Sequence, residues 1–188
     1  GFGFTMKFPH WDILDFLLFV YHEEKEEFIR IMLRKTLDMM AEGEIFDREG
    51  GGFYRYSTKR NWQEPHYEKL LEDNAHAINT YLSAYKLFGD ERYRKVAERT
   101  SFFIFDRLFD PQNNVFYGSQ DADEGYAKAS YSQRQARRPP FVDQTVYADL
   151  NALASMALLN FAASLGGDAS LGGDGGSAGA EGIAVDED

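Results

Sequence analysis

EIFDREGGGFYRYSTKRNWQEPHYEKLLEDNAHAIN, residues 44–79, is the stretch on which the reading of this chain turns. It holds three consecutive glycines, Gly50 to Gly52, and runs into the aromatic and basic ribbon Phe53-Tyr54-Arg55-Tyr56. Trp62 and Pro65-His66 follow. The stretch then takes on the 3.6-residue period of a helix through Leu70, Leu71, Asn74 and Ile78. A long aromatic loop leading into a helix is too apolar for disorder and too long for an idle connection.

Outward from this stretch the same plan recurs. An extended lead-in ends at Pro9. The spacing predicts a helix over about 11–21, apolar nearly all round and therefore buried on more than one side. A second helix is expected to end near Glu42, with Gly43 as a left-handed stop. The third is expected to begin at Pro65, a favourable first helical residue. It ends at Gly89-Asp90, which caps a fourth helix reaching about Phe109. A second long loop holds Asn114-Val-Phe-Tyr-Gly118, an echo of Gly50-Gly-Gly-Phe53-Tyr54, before a last helix over about 145–164. The expectation is an all-α architecture: a partial toroid of helical hairpins, short β-hairpins in its long loops, and a site built by those loops on one face. Residues 1–164 form this domain. From Leu165 to Asp188 the composition falls to Gly, Ala, Ser and Asp, and a disordered tail is expected.

The net charge of −11 is concentrated in that tail; without its six acids the body carries −5. Such a chain lacks the basic footprint of a nucleic-acid binder. The longest apolar stretch, Ile13 to Tyr21, contains Asp15 and is short for a membrane span. With no cysteine, disulfides, thiolate metal sites and cysteine nucleophiles are excluded. A cytoplasmic location is expected, with neither nucleic acid nor membrane as partner. No metal-ligand spacing occurs, so neither a metal nor a cofactor is expected.

Several residues could carry chemistry. His66, just inside the expected helix start, would lie against positive backbone N–H groups that favour a neutral imidazole able to accept a proton; the alternative is a surface histidine. Lys69, Asp73 and His76 would share a helix face, with an ordinary ion pair the better reading for Lys69. Asp73 and Asn74 interrupt the apolar pattern, either for ligand contact or to hold a loop by hydrogen bonds. Asp121 and Asp123 alternate in an extended segment and could serve as acid and base on a sugar, or simply form a turn. Tyr54 and Trp62 offer ring faces for sugar stacking, Arg55 a fork for a carboxylate, and Phe53 core packing. The three glycines are not a phosphate loop, because no Gly-Lys-Ser/Thr follows.

The run Asp47…Gly50-Gly-Gly-Phe53-x-Arg55-Tyr56-Ser57…Trp62…Pro65-His66-x-Glu68-Lys69-x-Leu71-x-Asp73-Asn74-Ala75 resembles the barrel region of thioredoxin-domain-containing proteins similar to spermatogenesis-associated protein 20. Lys7-Phe8-Pro9, Ser119-Gln-Asp-Ala-Asp123 and Asp143…Asn151 extend the resemblance over about residues 1–160. It implies an (α/α)6 barrel of the six-hairpin glycosidase type, normally fused to a thioredoxin-like domain that is not in this sequence. It implies a carbohydrate-related site at the barrel mouth, with His66, Glu68, Asp73, Asp121 and Asp123 near it. The ligand-binding candidates are Asp47, Tyr54, Arg55, Trp62, Glu68 and Asn74, and the catalytic ones His66, Asp73, Asp121 and Asp123. Glu72 stands where the family has an aromatic, and Leu150 where it has Trp. The expected partner is a small carbohydrate or sugar acid, at an epimerase-like site leaning on His66 or a hydrolase-like site leaning on the carboxylates. The alternative is a non-catalytic structural or interaction fragment, and the open edges of an incomplete barrel would favour self-association.

Overall fold

The computed structural model describes residues 5–167. Helix α1 (Trp11–Glu24) and helix α2 (Glu27–Glu42) form the first hairpin. The loop after α2 contains strand β1 (Tyr56–Ser57), paired antiparallel with strand β2 (Pro65–His66). Strand β3 (Lys69–Leu70) leads directly into α3 (Leu71–Phe88), and α4 (Glu91–Phe103) completes the second hairpin. A π-helical turn, Ile104–Leu108, passes into β4 (Phe109–Asp110), which pairs with β5 (Val115–Phe116). Strand β6 (Ser119–Gln120), two short helices α5 (Glu124–Ala127) and α6 (Tyr131–Gln135), and strand β7 (Val142–Asp143) precede α7 (Ala148–Gly167).

Helices α1, α3 and α7 form one parallel row, with α2 and α4 behind it. Trp11 at the start of α1 donates its indole N–H to Asp73 at the start of α3 (3.2 Å). Further along, Thr80 donates to Asp15 (2.5 Å) and Asn160 to Asn79 (3.0 Å), so the three helices run the same way. The sheet β3-β6-β7 ties the N-terminal ends of α3 and α7 together. Both long loops therefore arrive on one face, as the repeat implied.

The core lies between the two helix layers. Leu33, Leu37 and Met40 of α2 meet Leu71, Ile78 and Tyr81 of α3 and Tyr93, Val96 and Ala97 of α4. Asp90 caps α4 by accepting from the Arg92 N–H, as expected, after Gly89 in a left-handed conformation. The hydroxyl of Tyr81 is satisfied by the Leu37 carbonyl at 2.8 Å.

Three local expectations fail. The third helix starts at Leu71 rather than Pro65, because the preceding residues are drawn into two strand pairings and the Leu71 N–H bonds to the Gly118 carbonyl. Gly43 is extended, not left-handed (φ −78°); it is small because a Cβ there would lie 2.7 Å from Trp62 Cβ and 2.8 Å from the Met39 carbonyl oxygen. Helix α1 is buried on one side only. Trp11, Leu14 and Leu18 face the core, while Phe16 and Phe19 stand exposed, as do Phe28 and Ile31 of α2. At the opposite edge Phe102, Phe105 and Leu159 are exposed too. Both edges of the helix layers thus present apolar side chains to solvent.

Helix α7 runs to Gly167, past the expected boundary at 164, and the rest of the expected tail lies outside the described residues. Its segment Ala148–Leu165 is long and apolar enough to cross a membrane, a point that the shorter Ile13–Tyr21 stretch obscured. Only 11% of that segment is buried: Ala154, Ala157 and Leu158 pack into the core, while Met156, Leu159 and Leu165 are exposed.

The glycine run is a packing device. Gly51 and Gly52 have φ of +75° and +78°, and a Cβ on Gly51 would sit 2.1 Å from the Arg99 carbonyl oxygen of α4. Gly89 also has positive φ (+66°) but open space around it. In urea unfolding, Gly51→Ala should lose roughly 3 kcal/mol or more, from steric conflict added to the left-handed penalty. Gly89→Ala should lose only about 1–2 kcal/mol. Equal losses would contradict close backbone approach as the reason for the Gly-Gly turn.

Candidate functional site

The residues singled out in the sequence divide into two groups. The first is buried and structural. The Asp47 carboxylate accepts from Lys69 Nζ (2.7 Å), Arg134 Nη1 (2.7 Å) and the backbone N–H groups of Glu49 and Gly50 (both 3.0 Å). Burial pushes its pKa up. The Lys69 charge and the hydrogen bonds from Arg134, Lys69 and Gly50 outweigh that and hold it well below the carboxylate range. Lys69 also donates to the Gly51 carbonyl (2.6 Å) and lies over the rings of Phe103 and Tyr54. Burial pulls its ammonium down, opposed by the Asp47 carboxylate. Tyr54, beside the pair, has its phenol pushed far up by burial and by Asp47.

Lys69 thus takes no part in a solvated helix face with Asp73 and His76. It precedes the helix and is 2% exposed. Arg134 was not foreseen at all. It sits in a stretch that reads as a polar loop, and only a long-range partner search from Asp47 would have picked it out.

Asn74 holds the loop, the structural one of its two sequence readings. Its amide accepts from the Phe53 N–H (2.6 Å) and donates to the Phe53 and Leu70 carbonyls (3.1 and 2.8 Å). Trp62 is a correction. It was expected to offer a stacking face, yet it is 1% exposed, with the Lys7 ammonium 4.1 Å from its ring centroid. Phe53 is core, as expected.

The second group gathers where α1 and α3 begin. Arg55 Nη1 donates to Glu68 Oε2 (2.9 Å), and His66 Nε2 stands 3.7 Å from the same oxygen. Strand pairing sets Tyr56 opposite His66, and their rings stack 5.0 Å apart. Because His66 is in strand β2, the helix-start argument for a neutral imidazole falls away. Asp73 receives the Trp11 indole N–H at 3.2 Å and feels Arg55 and Glu68 electrostatically. Burial raises its pKa to about 6, against the lowering effect of the Trp11 hydrogen bond. A cavity of about 600 Å³ opens beside His66, lined also by Tyr56, Glu64, Glu124 and Lys128.

Asp121 and Asp123 are not part of this cluster. Asp123 accepts from the Tyr126 N–H (2.8 Å) as the cap of α5, and Asp121 is exposed. Ala122 between them does line the His66 cavity, so the segment is near, with the Asp123 carboxylate engaged as a helix cap. The acidic groups grouped with His66 are instead Glu68 and Asp73. Among the described residues no cluster of His, Asp and Glu is arranged to hold a metal ion.

Asp73 offers a direct test. Its folded pKa, about 6, lies above the unfolded value near 3.8. Stability from its protonated form is therefore complete below about pH 4 and lost as pH rises through 6. Asp73→Asn should match the parent near pH 4 and gain on it across pH 4–6. Above that the advantage should level off at roughly 1–3 kcal/mol. A difference independent of pH, measured by urea midpoints, would show that the carboxyl is not desolvated.

No family model matches the chain. Human spermatogenesis-associated protein 20 is 40% identical over 127 residues, covering 65% of this chain and 16% of that protein. Cellobiose 2-epimerase of Bacteroides fragilis is 30% identical over 95 residues, 50% of this chain and 24% of that enzyme. Among solved structures, a family 76 glycoside hydrolase (mannosidase) from Bacteroides thetaiotaomicron superposes with a TM-score of 0.67 at 14% identity, over 88% of this chain and 41% of that one. A D-mannose isomerase gives 0.59 at 16% identity, over 87% and 39%. The chain thus spans about one sixth of the length of the spermatogenesis-associated relative and less than half of the toroids it superposes on. The chain is similar to one segment of spermatogenesis-associated protein 20, and its fold is like part of a six-hairpin glycosidase-type helical toroid.

Proposed function

We propose that the chain contributes one side of a carbohydrate site at the toroid mouth, where His66 and Asp73 exchange protons with a small sugar or sugar acid. The observation that carries this reading is the cluster Arg55–Glu68–His66 with Asp73. Of these residues His66 lines a cavity of about 600 Å³, at the end of the parallel helix row where both long loops arrive. A carboxyl with a pKa near 6 can act as acid or base close to neutral pH. The half-exposed imidazole of His66 is the member of the cluster that opens into the cavity, and Arg55 orients Glu68 against it. Similarity to a cellobiose epimerase and likeness to a mannose isomerase favour proton abstraction beside a sugar carbonyl over glycoside cleavage. The capping duty of Asp123 points the same way, since it removes one of the two carboxylates that a hydrolase reading needs.

The second reading, a non-catalytic scaffold or interaction fragment, draws on different residues. Asp47, Trp62, Lys69 and Asn74 are all occupied inside the fold, and the open apolar edges favour self-association. In that reading the mouth cluster binds no sugar.

Incubation with mannose or cellobiose in D₂O, followed by proton NMR, separates the two. The proposal expects loss of the proton signal next to the anomeric carbon, slowed at least a hundredfold in His66→Ala. Absence of exchange in the parent, or exchange indifferent to His66→Ala, would overturn it.

A further inference from the structure

A second cavity, of about 300 Å³, lies on the side of the Asp47 cluster that faces α4, β6 and the short helices α5 and α6. It shares no lining residue with the His66 cavity. Lys69, Phe103, Arg107, Gln120, Tyr126 and Arg134 form its walls.

Its polar groups do not balance. Each acid at the rim already has partners. Asp47 is held by Lys69 and Arg134, Asp106 by Arg107 Nε (2.8 Å), and Glu49 by the Tyr131 N–H (2.9 Å). Donors are left over. The side-chain amide nitrogen of Gln120 is buried with no hydrogen-bond partner, although the residue is only 6% exposed. Arg107 uses Nε on Asp106 and one Nη2 hydrogen on the Tyr126 hydroxyl (3.4 Å), which leaves further N–H groups for another acceptor. A buried amide without a partner is unfavourable unless something supplies the acceptor. Excess donors in a small cavity fit an anionic acceptor, and a forked guanidinium fits a carboxylate.

We infer that this cavity is a binding site for a small hydroxycarboxylate, whose carboxylate accepts from the Gln120 amide and Arg107 while its hydroxyls meet the Tyr126 side of the pocket. The site is independent of the sugar chemistry proposed at the mouth. Its occupant would bridge β6, the π-helical turn and helix α5. Binding would therefore tighten the segment that Arg134 anchors to Asp47.

The test uses the full chain, with sodium gluconate as probe, sorbitol as its uncharged counterpart and sodium chloride at matched ionic strength. Gluconate should raise the melting temperature, and sorbitol should not. Gln120→Leu should abolish the gluconate shift while the unliganded variant melts about 2–4 °C higher, because an orphaned buried amide is gone. Arg107→Gln should weaken gluconate binding at least tenfold in calorimetric titration. His66→Ala should leave gluconate binding unchanged. The inference is overturned by an equal response to sorbitol, by no response to gluconate, or by a Gln120→Leu variant that melts no higher or still responds. It is overturned equally by an Arg107→Gln variant that binds as the parent does, or by loss of binding in His66→Ala, which would place the ligand at the mouth.

Discussion

One buried carboxylate holds the functional face together. Asp47 gathers Lys69 from the strand before α3, Arg134 from α6, and the backbone of the glycine turn into a single node. These segments are far apart in sequence, and each lacks a hydrophobic core of its own. Two cations around one carboxylate, with two backbone N–H groups completing its shell, satisfy the conditions under which a buried ion cluster persists. Arg134 adds rigidity by also donating to the carbonyls of Ala127 and Ala129, which closes the α5–α6 loop on itself.

The mouth depends on this node indirectly. The loop pinned at Asp47 continues through Phe53, which Asn74 grips from both backbone sides, to Arg55 and Tyr56. Arg55 and His66 then meet at Glu68, one residue before Lys69. Because alternate residues of an extended segment point opposite ways, Lys69 turns into the node while Glu68 faces the cluster. A long loop is thereby fixed well enough to carry chemistry, and the toroid supplies the rigid row of helix starts beneath it.

Much of this was legible in the residues, and the gaps have physical causes. Helical period and the Gly89-Asp90 link placed α3 and α4, since both signals are local. The recurrence of the Gly-aromatic motif disclosed that both long loops serve one face. The start of α3 was misjudged because Pro65 suits a first helical turn as well as it suits an edge strand. The pairing of β3 with β6, about 50 residues away, decided between them. Trp62 looked like a ligand platform because polar residues surround it in sequence, whereas in space it fills the gap under Gly43 and Lys7. Arg134 gave no signal, for its partner lies 87 residues away. Asp121 and Asp123 were visible as a pair, yet capping geometry, which needs the following helix, decided the role of Asp123.

The most direct measurement compares the urea stabilities of Asp47→Asn and Lys69→Met. If Asp47 is the node, its neutralisation leaves two buried cations facing each other and should lose roughly 3–5 kcal/mol. Lys69→Met should lose less than half as much, since Asp47 keeps Arg134 and its two backbone donors. Equal losses, or an Asp47→Asn variant as stable as the parent, would contradict the account.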